Sequence, residues 1–139
     1  MTRFVLDCSV VMAWCFESEA GPYTDAVLRA LSKWTAVVPA VWPLEVVNVL
    51  LVAERRRRLG GGDVIRFLDL LGGLPIVVDG PVSIPDLAVL LALGREHRLS
   101  AYDAAYLHLA MRERLPLATH DRALRAAARS AGLVAFAVR

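Results

Sequence analysis

The sequence predicts an α/β fold, a three-layer α/β/α sandwich around a central parallel sheet of about five strands, and three observations predict it. Short apolar runs rich in Val, Leu and Phe alternate with longer segments of helical periodicity. Two helices sometimes follow one another between strands, which supplies the crossover connections that parallel neighbours need. The chain has 139 residues, 57% of them hydrophobic, with a mean hydropathy of +0.50. That is the make-up of one domain over residues 1–139 that builds its core without disulfides or a structural metal.

The first strand is Phe4–Leu6, a buried run that ends on Asp7. A helix follows from Ser9 to Phe16, then a polar loop, Glu17–Gly21, and Pro22 opens a helix reaching Lys33. Ala36–Val38 is the second strand. Pro43 sits in a first helical turn, and Val46, Val47, Leu50 and Leu51 keep one apolar face as far as Arg55–Arg58, with Gly60, Gly61 and Gly62 as the stop. Asp63–Leu71 is helical, and Pro75–Val78 is the third strand, closing on Asp79. Ile84–Arg98 is helical, with Leu87, Leu90, Leu91 and Leu93 expected to face the core. Ser100 caps a helix from Ala101 to Arg114, Leu117–Thr119 is a fourth strand, and a last helix runs to Ala131. Gly132 ends it, and Leu133–Val138 is expected to be the fifth strand.

Charge excludes several functions. Sixteen basic against fourteen acidic residues leave a formal charge of +2, and Lys33 is the only lysine, so no basic nucleic-acid coat is indicated. Cys8 and Cys15, seven residues apart on one helix, lie about 10 Å apart, beyond the roughly 7 Å a disulfide spans. Reduced thiols suggest a cytoplasmic address. Asp7 interrupts the first apolar stretch, which argues against a signal peptide, and Pro39, Pro43, Glu45 and Asn48 break the most membrane-like window. No Gly-x-Gly-x-x-Gly or Walker lysine follows the first strand, which disfavours a nucleotide enzyme. A phosphoacceptor receiver domain would carry a lysine late in the chain, where this one has none. Trp14, Trp34 and Trp42 suit core or interface positions better than base-stacking ones.

In open α/β sheets, ligands bind beyond the carboxyl ends of the strands, and four acids fall near that edge: Asp7, Glu45, Asp103 and Asp121. Each has a structural explanation available. Asp103 is the third helical residue after Ser100, Glu45 suits a helix dipole, and Asp121 suits an N-cap. Asp7 is harder to account for, because an unpaired carboxylate at the end of a core strand is costly. Two carboxylates 4 Å apart repel by about 4 kcal/mol at an effective dielectric of 20, a penalty that a cation removes. Oxygen donors without a histidine or thiolate cluster favour Mg²⁺, with Mn²⁺ as a substitute, over zinc. Of the histidines only His120 lies beside the acids in sequence.

The segments Val5-Leu6-Asp7-Cys8-Ser9, Glu45-Val46-Val47-Asn48, Tyr102-Asp103-Ala104-Ala105-Tyr106-Leu107 and Thr119-His120-Asp121-Arg122-Ala123-Leu124, in this order and spacing, resemble the signature of PIN-domain ribonucleases, particularly VapC-type toxins of toxin-antitoxin pairs. The resemblance covers nearly the whole chain. It implies Mg²⁺-dependent hydrolysis of RNA phosphodiester bonds, with Asp7, Glu45, Asp103 and Asp121 as the acidic quartet. Asp7 and Asp103 would be direct ligands, and Glu45 and Asp121 would act directly, through water or on a second ion. Ser9 and Thr119 would orient carboxylates, and Asn48 would support Glu45 or touch substrate. It also implies a homodimer and a cognate antitoxin that blocks the site, with no membrane role. Arg55, Arg56, Arg57 and Arg58 read either as a solvated helix end or as contacts to RNA or an acidic partner, and His120 reads either as an ordinary surface histidine or as an RNA or partner contact beside the acids. The rival functions are a housekeeping RNA-processing nuclease and a non-catalytic protein-binding module whose acids are caps.

Overall fold

The computed structural model describes residues 2–137. Strand β1 (Arg3–Leu6) leads into α1 (Cys8–Cys15), a single 3₁₀ turn (Glu17–Glu19) and α2 (Pro22–Ala30). Then come β2 (Thr35–Val38), α3 (Trp42–Arg55), α4 (Gly61–Gly72) and β3 (Ile76–Val78). The chain closes with α5 (Ile84–His97), α6 (Ala101–Glu113), β4 (Leu117–Ala118) and α7 (Arg122–Ser130). The sheet is parallel throughout, in the order β3-β2-β1-β4.

That order positions the site. The chain steps outward from β1 to β2 to β3, then crosses back to place β4 on the far side of β1. Between β1 and β4 the connections diverge, so a crevice opens there at the carboxyl edge. Phe4, Val5 and Leu6 of β1 are fully buried. Successive strand residues face opposite ways, so both faces of the sheet are covered. Helix α6 packs on β1 between α5 and α7, while α1 packs against α2 and α3. Phe136, beyond α7, stacks on Phe4 with ring centroids 4.0 Å apart, and Trp34 meets both rings edge-on.

Three expectations need correction. The fifth strand, Leu133–Val138, is reduced among the described residues to one parallel bridge between Leu117 and Ala135, made by Leu117 N to Val134 O and Phe136 N to Leu117 O at 3.1 and 2.9 Å; Val138 lies outside those residues. The reason is the shortness of β4, only two residues long. Leu87 and Leu91 do not face the core: they are 52% and 55% exposed, while Leu93 is buried and Leu90 half-buried. Helix α5 packs chiefly on α6, and one helical neighbour covers one stripe. The glycine triplet starts a helix instead of stopping one. Gly60 is the N-cap of α4, and its amide donates to Asp63 Oδ2 at 3.0 Å. The preceding helix ends earlier, at Arg55, and Arg57 in the left-handed region (φ 57°) closes it as Arg58 N returns to Ala53 O at 2.9 Å, a Schellman closure formed without glycine.

Candidate active site

Asp7 follows β1 and is 5% exposed. Its burial is tolerable because its Oδ2 accepts two hydroxyl hydrogen bonds, from Ser9 Oγ at 2.6 Å and Thr119 Oγ1 at 2.7 Å. Each hydroxyl has one proton, and both are committed to Asp7. Their lone pairs face the turn after β4: Ser9 Oγ accepts the amide of His120 at 3.0 Å, and Thr119 Oγ1 accepts that of Asp121 at 3.0 Å. The turn that presents Asp121 is thereby tied to the carboxylate at the neighbouring strand end.

Glu45 sits in the first turn of α3 and is half-buried. Its Oε1 accepts the phenol proton of Tyr106 at 2.7 Å, and the same phenol oxygen accepts the amide of Cys8 at 3.2 Å. Tyr106 thus joins α6, α3 and the start of α1. Asp103 lies in the first turn of α6, its amide donating to Ser100 Oγ at 3.2 Å. Asp121 caps α7, with Oδ1 accepting from Leu124 N at 2.9 Å. Asp121 has the capping role expected of it, whereas at Asp103 the cap is the Ser100 hydroxyl and the carboxylate makes no return bond to the Ser100 amide; both side chains stay at the same edge.

Electrostatics show that the carboxylates share one space. Burial, then the charges of Asp7 and Asp121, push Asp103 up to about 6. Burial raises Asp7, with a further push from Asp121. Glu45 is raised by burial and by the charges of Asp7 and Asp103. The only opposing influences on these three are hydrogen bonds; no arginine or lysine among the described residues relieves them. Asp79, the acid after β3, is different, because Arg112 pairs with it. Cys8 is held up at about 12 by burial and by Glu45 and Asp7, so its thiol stays protonated and is no nucleophile.

An all-oxygen, uncompensated donor set suits a hard divalent cation. Among the described residues no three His, Cys, Asp or Glu side chains converge closely enough to cage an ion. The arrangement is a looser gathering of carboxylates at one sheet edge, which suits Mg²⁺, an ion that keeps several waters and takes one or two carboxylates directly.

The other expected residues divide. Asn48 is exposed and shares with Glu45, Cys8 and Tyr102 the wall of a cavity of about 380 Å³. The side chain of His120 is exposed beside the acids, its ring edge-on to Tyr23 at 6.0 Å. Arg55–Arg58 are not brought to the acids. Arg58 stacks over Phe16 at 4.1 Å, past the far end of α1, and none of the four acts on the three shifted carboxyls. Sequence reasoning gave Tyr106 no role. The available signal was a tyrosine three residues after Asp103, on the same helical face, whose buried hydroxyl needs a partner.

A parallel sheet with four acids gathered at its topological switch point defines an α/β protein with an acidic candidate site. The family model of the PIN domain matches residues 4–130, and the chain belongs to the PIN-domain family. PAE2754 of Pyrobaculum aerophilum shares the fold at 24% identity and TM-score 0.66, over 91% of this chain and 79% of that one. VapBC2 of Rickettsia felis, solved with a DNA fragment from its promoter, matches at 11% identity and TM-score 0.68, over 99% and 100% of the chains. FitAcB of Neisseria gonorrhoeae matches at 22% identity and TM-score 0.58, over 96% of each. No curated protein matches in sequence.

Proposed function

We propose that the chain is a Mg²⁺-dependent endoribonuclease, the toxin of a toxin-antitoxin pair, whose antitoxin covers the acidic crevice. The observation that carries the nuclease reading is the gathering of Asp7, Glu45, Asp103 and Asp121 at one edge, where burial first and neighbouring acids second raise Asp7, Glu45 and Asp103 with no basic group to relieve them. Membership of a family whose members are generally nucleases supports it. The toxin-antitoxin setting draws on the VapC-like motifs and on the fold shared with VapBC2 and FitAcB.

In this reading Asp7 and Asp103 hold the ion, with Glu45 and Asp121 completing its surroundings directly or through water. Ser9 and Thr119 keep Asp7 as an acceptor in one orientation, and Tyr106 does the same for Glu45. Asp121 spends Oδ1 on its helix and has Oδ2 for the crevice. When bound, the ion supplies an acidified water and neutralises charge developing on the phosphate. No side-chain nucleophile is required: Cys8 is protonated, and the Ser9 proton is committed to Asp7. The crevice repels RNA unless its acids are neutralised, which makes cleavage dependent on the ion.

The capping bond of Asp121 favours the rival reading of a non-catalytic module, but capping explains neither the carboxylate of Asp103, nor the burial of Asp7, nor the bridge from Tyr106 to Glu45. The test is incubation of partner-free protein with a structured RNA pool in Mg²⁺, Mn²⁺ or EDTA, beside Asp7→Asn and Asp103→Asn. Cleavage only with the ion and wild-type acids, leaving 5′-phosphate and 3′-hydroxyl ends, is the expected result. Cleavage in EDTA, or by both folded variants, contradicts it.

A further inference from the structure

A second concavity adjoins the acids on the outer side of β4, and the nuclease reading does not yet use it. Its volume is about 600 Å³, within the 300 to 1,000 Å³ or so typical of small-molecule sites. Leu117 and Phe136 contribute an apolar floor, Tyr23 and His120 an aromatic wall, and Arg125 a cation. His120 and Arg125 are exposed, and Tyr23 is half-buried.

These groups are fixed rather than scattered. The Tyr23 hydroxyl donates to Phe136 O at 2.8 Å, which anchors its ring against the edge of His120. The His120 amide is held by Ser9 Oγ, the hydroxyl that also donates to Asp7. Arg125 Nη2 donates to Thr119 O at 2.8 Å, and its charge is felt by the Tyr23 phenol. No carboxylate pairs with Arg125 among the described residues, so the remaining guanidinium N–H groups are available. Thr119 belongs to both places, lining the concavity and hydrogen-bonding Asp7 through its hydroxyl.

Aromatic faces beside an unpaired guanidinium match a nucleotide, with a base to stack and a phosphate to pair. Resting on the nuclease reading, we infer that this concavity seats one single-stranded nucleotide flanking the scissile bond, its base against Tyr23 and His120 and its phosphate on Arg125. A phosphodiester at the acids then has its neighbour one strand end away, and Arg125 offsets the repulsion that the acids exert on RNA. Arg125 and Tyr23 thereby become determinants of which RNA is accepted.

The test measures binding, not cleavage. A fluorescein-labelled single-stranded oligoribonucleotide is titrated with the wild-type chain in Ca²⁺, and with Arg125→Gln, His120→Ala and, as a distant control, Arg95→Gln. Circular dichroism and thermal melts verify folding. Arg125→Gln is expected to weaken binding roughly tenfold and to lower the salt slope by about 0.7, the value for one phosphate contact on a single strand. His120→Ala is expected to weaken it roughly fivefold or more, and Arg95→Gln to leave it unchanged. Independently of any variant, a 4-thiouridine oligoribonucleotide photo-crosslinked to the wild type should map to the peptides holding Tyr23 or His120. Wild-type affinity in both variants, or crosslinks confined to other peptides, overturns the subsite while leaving the nuclease reading in place. The same holds if the variants lose only a protein partner. Failure of the wild type to bind RNA overturns both.

Discussion

The phenol of Tyr106 donates to Oε1 of Glu45 across 2.7 Å, although 61 residues separate them in sequence. Because the same oxygen accepts the Cys8 amide, one hydroxyl fixes an acid of the crevice and the first amide of α1. Tyr106→Phe keeps the ring and removes both bonds. It should cost about 1 to 3 kcal/mol of stability, the usual penalty for a buried group left unpaired. Activity should fall roughly tenfold, a loss of about 1.4 kcal/mol, with a raised Mg²⁺ requirement as Glu45 loses its orientation. Denaturant melts and Mg²⁺-dependence of cleavage check the two parts separately.

Thr119 acts as a two-way connector, donating to Asp7 and accepting from Asp121 N. Thr119→Val preserves shape but leaves Asp7 with the Ser9 hydroxyl alone and the half-buried Asp121 amide without its acceptor, and should destabilise by about 1 to 3 kcal/mol. Thr119→Ser keeps the hydroxyl and should retain most activity. Equal behaviour of the two variants in melting and cleavage assays would remove the hydroxyl from the account.

Asp7→Asn separates stability from function. Burial and the charge of Asp121 both raise the Asp7 carboxyl, so the cation-free fold carries an electrostatic strain that a neutral isostere relieves, while the amide oxygen can still accept both hydroxyl protons. The variant should melt in EDTA no lower than the wild type, and cleave at least roughly a hundredfold more slowly, a loss of about 2.7 kcal/mol in barrier terms. A large drop in melting temperature would show Asp7 to be a structural residue first.

The folded carboxyl of Asp103 titrates at about 6 against an ordinary 3.8, so between those values the folded chain binds more protons than the unfolded chain. Stability of the cation-free protein should therefore fall as pH rises from about 4 to about 6, and raised Asp7 and Glu45 carry the same sign. Mg²⁺ favours the deprotonated acids, so the stabilisation it confers should grow over the same interval, and activity should rise through about pH 6. Thermal melts with and without Mg²⁺ across this range test the claim. A Mg²⁺ effect independent of pH would contradict it.

What the sequence revealed follows a physical division. Asp7, Glu45, Asp103 and Asp121 were legible because each stands at a strand or helix end, and element ends are written in local periodicity. Tyr106 with Glu45, and Arg125 with Thr119 and Tyr23, were not legible as partners, since tertiary packing alone selects a hydrogen-bond partner. Helix α5 misled for another reason. It carries apolar residues around most of its circumference, with Ile84 81% and Leu91 55% exposed, so periodicity could not say which face meets α6. The apolar run Leu133–Val138 suits a buried strand, but among the described residues two-residue β4 gives it only one bridge. Among the described residues no helix is long and apolar enough to cross a membrane, in line with the broken apolar window around Pro39 and Pro43.

In the proposed reading the four acids form one cation site. This is tested most directly by calorimetric titration of Mn²⁺ into the wild type, Asp7→Asn and Asp103→Asn near pH 6, in two buffers of different ionisation enthalpy. Saturable binding by the wild type with release of protons is expected, as Asp103 gives up a proton held at about 6, together with loss of that binding in both folded variants. Equal affinity in all three proteins, or no binding by the wild type, would contradict it.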